Sequence, residues 1–187
     1  MEPSQLSREL RLGEGDDLTR RRWVVGLSVL GTAIGGVVGL YQTGVIRRLP
    51  DPPSDLFDSE RVDASDYAYS RLNMPDAFLM MGTYAVTGGL AAAGGKDRAR
   101  DQPWLPIALA MKTAYDVFVN LKLAREEWQE NKALCAYCQA ATLASIASAA
   151  LAMPEAAKAV GHLIEDEAGQ GWAAAIRDRP ERALPPG

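Results

Sequence analysis

The sequence predicts an all-α integral membrane protein, a four-helix bundle with a partly helical extracytoplasmic cap. Two observations carry that prediction. The first is segregation of charge. The chain has 187 residues, a net charge of −4 and a mean hydropathy of −0.12, yet residues 23–46, 77–95 and 133–154 hold no charged side chain. A water-facing helix keeps one charged face, and a bilayer core asks for about 20 mainly apolar residues. These windows lack the first and approach the second. The other observation is the long connection at 47–74, "RRLPDPPSDLFDSERVDASDYAYSRLNM", acidic and punctuated by prolines. Connections of this length are lids, binding loops or disordered segments. Leu56, Phe57, Val62, Tyr67, Tyr69 and Leu72 give this one apolar material to fold onto a support, which makes it a cap.

Residues 1–22 read as a polar cytoplasmic tail, irregular over 1–19. The membrane domain is expected over 23–155 and opens with a helix at 23–46. That helix is longer than the apolar region of a signal peptide and lacks a small-x-small cleavage site, so it reads as retained. Gly31, Gly35 and Gly39 line one stripe of it, a surface for close approach by a neighbouring helix. The second helix opens at Pro75, whose missing N–H would be unpaired in a first turn anyway, and continues as "DAFLMMGTYAVTGGLAAAGG". The link "KDRARDQ" leads to a third helix at 103–128. A fourth covers 133–153 and meets Pro154. Residues 156–187 read as a second polar cytoplasmic tail with a short helical stretch around Trp172.

Orientation follows the lysine and arginine bias. Arg20, Arg21 and Arg22 precede the first helix, and Lys96, Arg98 and Arg100 separate the second from the third. Both groups are expected in the cytoplasm. Four crossings then return both termini to the cytoplasm and start the fourth helix outside. The absence of a basic stripe with interleaved aromatics gives no nucleic-acid footprint.

The two cysteines of the chain lie at that outer end, in "LCAYCQ" at 134–139. Cys135 and Cys138 are three apart and share one helix face, while Tyr137 faces away. Unpaired N–H groups and the dipole at a helix N-terminus favour a thiolate, and an oxidising compartment lets disulfides persist. Reversible disulfide chemistry is one reading; the other is two cysteines packed as small apolar residues. No metal site is expected. A structural zinc site needs four ligands, and His162, the one histidine, falls on the cytoplasmic side. A thioredoxin active site is not expected either, since no strand precedes the pair.

Four membrane helices, a long outer connection and C-x-x-C opening the fourth helix resemble the vitamin K epoxide reductase family. The stretches "GLYQTGVIRRLPDPP", "DASDYAYSRLNMPDAF" and "LCAYCQAATLASIASA" are similar to its bacterial single-domain branch, and the resemblance covers roughly residues 23–155. It implies a cysteine pair that cycles between dithiol and disulfide while a lipid quinone, menaquinone or ubiquinone, accepts the electrons. Cys138 would meet the quinone and Cys135 would exchange with an incoming thiol. The family's second cysteine pair, on the outer connection, is missing here, which implies a separate thioredoxin-like thiol protein as partner.

The resemblance also matches Asp76 to an asparagine that hydrogen-bonds a quinone oxygen. A carboxyl donates only when protonated, which burial favours; the other reading is an acid placed for the helix dipole. Thr142 stands where animal enzymes carry a tyrosine. Phe78 and Tyr84 could line an apolar ring pocket, or simply pack the bundle. Lys112 and Asp116 read as an intrahelical ion pair facing the bundle interior, in preference to a proton relay. Tyr67 and Tyr69 are placed to anchor the cap. The expected function is a membrane thiol–disulfide oxidoreductase of a bacterial inner or plasma membrane, supporting disulfide formation in extracytoplasmic proteins. The alternative is a non-catalytic membrane scaffold or partner subunit that retains the fold.

Overall fold

The computed structural model describes residues 2–177, with side chains through residue 166. Among the described residues eight helices follow in order: α1 (Pro3–Leu12), α2 (Asp16–Gln42), α3 (Ser59–Asp63), α4 (Asp66–Tyr69), α5 (Asp76–Ala92), α6 (Arg98–Asp101), α7 (Trp104–Asn131) and α8 (Ala136–Arg177). Among the described residues no strand forms; one isolated bridge joins Phe57 to Leu134. The long helices pack side by side, α2 against α5 and α8, and α7 against α8 and α5. Two of them, α2 and α8, are long and apolar enough to cross a membrane.

The interior mixes small hydroxyl residues with apolar ones such as Val24, Val38 and Leu109, and large apolar side chains also face outward. Ser28, Thr87, Thr113, Ser145 and Ser148 are buried, whereas Val29, Val86, Met111, Phe118 and Leu143 are exposed. Small hydroxyl residues satisfy themselves on their own helix: Ser28 donates to Val24 O at 2.8 Å, Thr113 to Leu109 O at 2.9 Å and Ser148 to Ala144 O at 2.8 Å. Helices that pack through small residues approach closely. The ring of Tyr84 on α5 fills the space a Cβ would need at Gly31, and its hydroxyl reaches Ala141 O and Ser145 Oγ on α8. Gly31→Ala should therefore push this ring off its partners. We expect a loss of about 1–3 kcal/mol, read as a lower midpoint of thermal unfolding in detergent micelles.

The helix ends depart from the sequence expectations for local reasons. The α2 helix starts at Asp16, because Asp16 and Asp17 suit a first turn and Asp17 bonds Arg20 at 2.9 Å and Lys158 at 2.6 Å. It stops at Gln42, where Gly44 takes φ 77° and the amides of Val45 and Ile46 fold back onto Leu40 O. Residues 3–12 were expected to be irregular and instead form α1. Arg22 holds the end of α1 through Leu10 O and Gly13 O, and Glu9 accepts the Lys96 amide.

The largest departure is at Pro154, which lies inside α8 instead of ending it. The next residue explains why the chain stays helical. Glu155 is 2% exposed and takes both Nε and Nη2 of Arg98, at 2.8 and 2.7 Å. Arg98 also donates from Nη1 to Leu90 O and Ala93 O, while Arg21 donates to Ala91 O, Ala93 O, Gly94 O and Gly95 O. Two guanidinium groups thus satisfy the carbonyls that end α5. One of them pins α8 just past its proline. The helical stretch expected around Trp172 is continuous with α8 in its backbone. Residues 178–187 of the expected second tail lie outside the described residues.

The 47–74 connection contains α3 and α4. Tyr69 donates to Gln42 O on α2 at 2.8 Å, and Tyr67 bonds Glu126 on α7 at 3.0 Å. Both tyrosines tie the connection to the long helices, whereas the sequence expectation has them anchoring the cap at the membrane interface.

Candidate active site

The chain reverses after α7 at Lys132, which adopts φ 52°. Leu134 then pairs with the cap: its amide donates to Leu56 O at 3.0 Å and its carbonyl accepts from Asp58 N at 3.1 Å. Cys135 follows, just outside α8, and its Sγ accepts the Cys138 amide at 3.1 Å. A capping serine or threonine oxygen normally takes that amide; here a sulfur does. The Ala136 amide donates to Ser59 Oγ at 2.9 Å, and Ser59 is itself held by Asp51 through Oγ at 2.5 Å and its amide at 2.7 Å. Tyr137 points to the cap, where its hydroxyl donates to Pro50 O at 2.9 Å.

Both cysteines are free thiols. Cys135 is 0% exposed, packed with Val62 and Ala133, and Cys138 is half-buried. Asp63, the last residue of α3, joins them: one carboxylate oxygen and the two sulfurs lie within 4.8 Å of one another. Asp63 is 1% exposed, and its Oδ2 has no hydrogen-bond partner. Burial raises its pKa to about 7, opposed by a hydrogen bond with Cys135. For Cys135, the hydrogen bond with Cys138 lowers the pKa, but burial and the Asp63 carboxylate raise it more, and the net shift is upward. Among the described residues, no cation acts on this sulfur pair to hold a thiolate, and a carboxylate does.

A cavity of about 270 Å³ lies on the other side of Cys138. Its walls are apolar at Leu79, Met80, Val119, Leu123 and Ala141, and polar at Arg71, Asp76, Asn120 and Glu127. That volume sits near the lower end of small-molecule sites, about 300 Å³. Of the residues singled out from sequence, Cys138, Asp76, Tyr84, Thr142, Tyr67 and Asp116 line it. Phe78 is not among the lining residues; it is 41% exposed and packs toward Gly39. Asp76 accepts the Gln42 amide at 2.8 Å and lies 3.8 Å from Arg71. Thr142 donates back to Cys138 O. Lys112 and Asp116 pair at 2.5 Å, and Lys112 also reaches Thr83 O and Thr87 Oγ1 on α5, so the pair faces inward and ties two helices.

Two residues of this site escaped the sequence reading. Asp63 is one of six acids between 47 and 74 and carries no distinguishing local signal. Arg71, a lining residue of the cavity, lies over the ring of Tyr67 and bonds Glu126, while its Nη1 is buried 3.8 Å from Asp76 with no hydrogen-bond partner.

An all-helical protein with two membrane-length helices, and a cysteine pair set between a cavity and a cap, is the class this fold and site define. The sequence profile of the vitamin K epoxide reductase family matches residues 22–153, and the chain belongs to that family. Membership marks it as an oxidoreductase, and with the two apolar helices it marks a membrane protein. No curated protein and no solved structure gives a match.

Proposed function

We propose that the protein is a membrane thiol–disulfide oxidoreductase that couples Cys135 and Cys138 to a lipid quinone. The observation that carries this reading is the position of Cys138, in the wall of an apolar cavity and bonded through its amide to the Cys135 sulfur. A quinone ring in that cavity would supply a two-electron, two-proton acceptor. Leu79, Met80, Val119 and Leu123 exclude water from the ring. Arg71 and Asp76 form a polar part of the wall, where Arg71 would donate to a ring oxygen. Tyr84 and Thr142 shape the wall on either side of Cys138.

Four crossings are the reading that accounts for the exposed apolar side chains on α2, α5, α7 and α8 together. With Arg21 and Arg98 at one end and the cap at the other, the lysine and arginine bias puts the cap outside and both termini in the cytoplasm of a bacterial inner or plasma membrane. A separate thioredoxin-like thiol protein would exchange with Cys135. Because Cys135 is fully covered, that partner has to displace the Ser59–Val62 segment to reach it.

The test uses reduced protein in detergent micelles and a short-chain ubiquinone. One Cys135–Cys138 disulfide should form for each quinone consumed. Arg71→Gln should raise KM about tenfold with little change in kcat, the mark of a contact made equally in ground and transition states. Unchanged thiols after prolonged exposure to quinone would discard this reading in favour of a scaffold that keeps the fold without turnover.

A further inference from the structure

Closing the disulfide requires the Cys135 thiol to lose its proton where solvent does not reach. Cys138 has the cavity beside it; Cys135 is 0% exposed beneath Val62. We propose that Asp63 accepts the Cys135 proton when the Cys135–Cys138 disulfide forms, an assignment that rests on the oxidoreductase reading of the pair. Three observations place it there. Its carboxylate lies within 4.8 Å of both sulfurs. Its Oδ2 is buried with no partner, so a lone pair is free. The Gln42 side-chain amide donates to Asp76 at 2.8 Å and reaches the Asp63 backbone carbonyl at 3.5 Å, so it leaves the Asp63 carboxylate alone.

The surroundings suit a group that must both take and release a proton. Asp51 on the outer connection, Tyr41 on α2, Tyr69 on α4, Asp76 on α5 and Glu127 on α7 all act on Asp63 or are acted on by it. Each carries negative charge when ionised. Arg71, the nearby cation, is directed to Asp76 and Glu126. Burial first, with the Asp76 and Asp51 charges added to it, brings the carboxyl's titration to about 7, near the poise at which a base is most effective.

The balance is as follows. Two S–H bonds break and one S–S bond forms. The electron pair and two protons end on the quinone, giving quinol. The Cys138 proton passes to the quinone in the cavity, the first of its two. The Cys135 proton passes to Asp63 as its sulfur bonds Cys138, and returns to solvent when the cap next opens. A solvent proton taken up at the cavity completes the quinol.

The experiment follows disulfide formation in reduced full-length protein with two oxidants, a short-chain ubiquinone and 4,4′-dithiodipyridine. With the second, Cys138 forms a mixed disulfide and Cys135 releases thiopyridone, so no quinone is needed. The wild-type rate should rise with pH through about 7, as Asp63 becomes a carboxylate, and then level. Asp63→Asn should be about 100-fold slower at neutral pH and approach the wild-type rate in strong alkali, where solvent removes the proton. Asp63→Glu should keep most of the rate. An Asp63→Asn variant as fast as wild type at neutral pH overturns the assignment. So does a deficit equal at every pH, which marks damage to the fold. Dependence on Asp63 with dithiodipyridine in a protein that ignores quinone upholds the assignment and removes the quinone reading alone.

Discussion

Cys138→Ala is expected to stop quinone-linked disulfide formation completely and to leave Cys135 caught in a mixed disulfide with its protein partner. The geometry sets the size of the effect. The Cys138 amide lies 3.1 Å from Cys135 Sγ, so the second sulfur is held beside the first by the opening turn of α8. Resolution by such a neighbour draws on effective molarities that reach about 10⁵ M or more; a free thiol in solution cannot match it. Loss of at least about 10⁴-fold in turnover is expected. Cys135→Ala should be equally inactive and yield no adduct, because Cys138 faces the cavity instead of the cap. Acid-quenched membranes on non-reducing gels, followed by mass spectrometry of any adduct, read both outcomes. Equal adduct yields from the two variants would contradict the division of labour between the sulfurs.

Glu155→Ala should be the most destabilising single change outside the site. Its partner Arg98 has a side chain 0% exposed and cannot reach water. Removing one member of a buried pair leaves an uncompensated charge and costs about 3–5 kcal/mol. Here the damage extends further, since Arg98 also holds the carbonyls that end α5. With that anchor gone, nothing offsets the missing amide of Pro154, and α8 should fray from the proline onward. A large fall in the thermal midpoint, with faster amide exchange after residue 154, is the expected record. Arg98→Met in the Glu155→Ala background should recover part of the loss by removing the stranded charge, but not all, because the α5 carbonyls stay open. A thermal midpoint within a degree of wild type would show that the pair carries no such load.

The helices were legible because charge is absent from long windows, a signal that needs no tertiary information. Their ends were not. Whether Pro154 stops α8 depends on Glu155 meeting an arginine 57 positions before it, and residues 3–12 become helical where Arg22 and Lys96 engage them. The cysteine pair announced itself by spacing and by its place at a helix start. Cys135 proved to be the residue before the helix, its sulfur acting as the cap, a detail fixed by the turn at Lys132. Tyr84, Asp76 and Thr142 were identifiable as residues near the pair, while Phe78, two positions from Asp76, faces toward Gly39. Asp63 and Arg71 gain their meaning only from folding of the cap over the bundle. In sequence they are ordinary charges of a charged loop.

The cap is fastened at Ser59, Asp51, Tyr137 and Tyr69 by hydrogen bonds and by no covalent link. A clasp of that kind has no midpoint potential. It opens at the same frequency in reducing and oxidising surroundings, and warming or mild denaturant loosens it while a change of thiol poise does not. Under the exchange proposed at Cys135, access to the inner sulfur would be a mechanical gate in series with the chemistry, and its breathing rate would set a ceiling on turnover however strongly a donor drives the reaction.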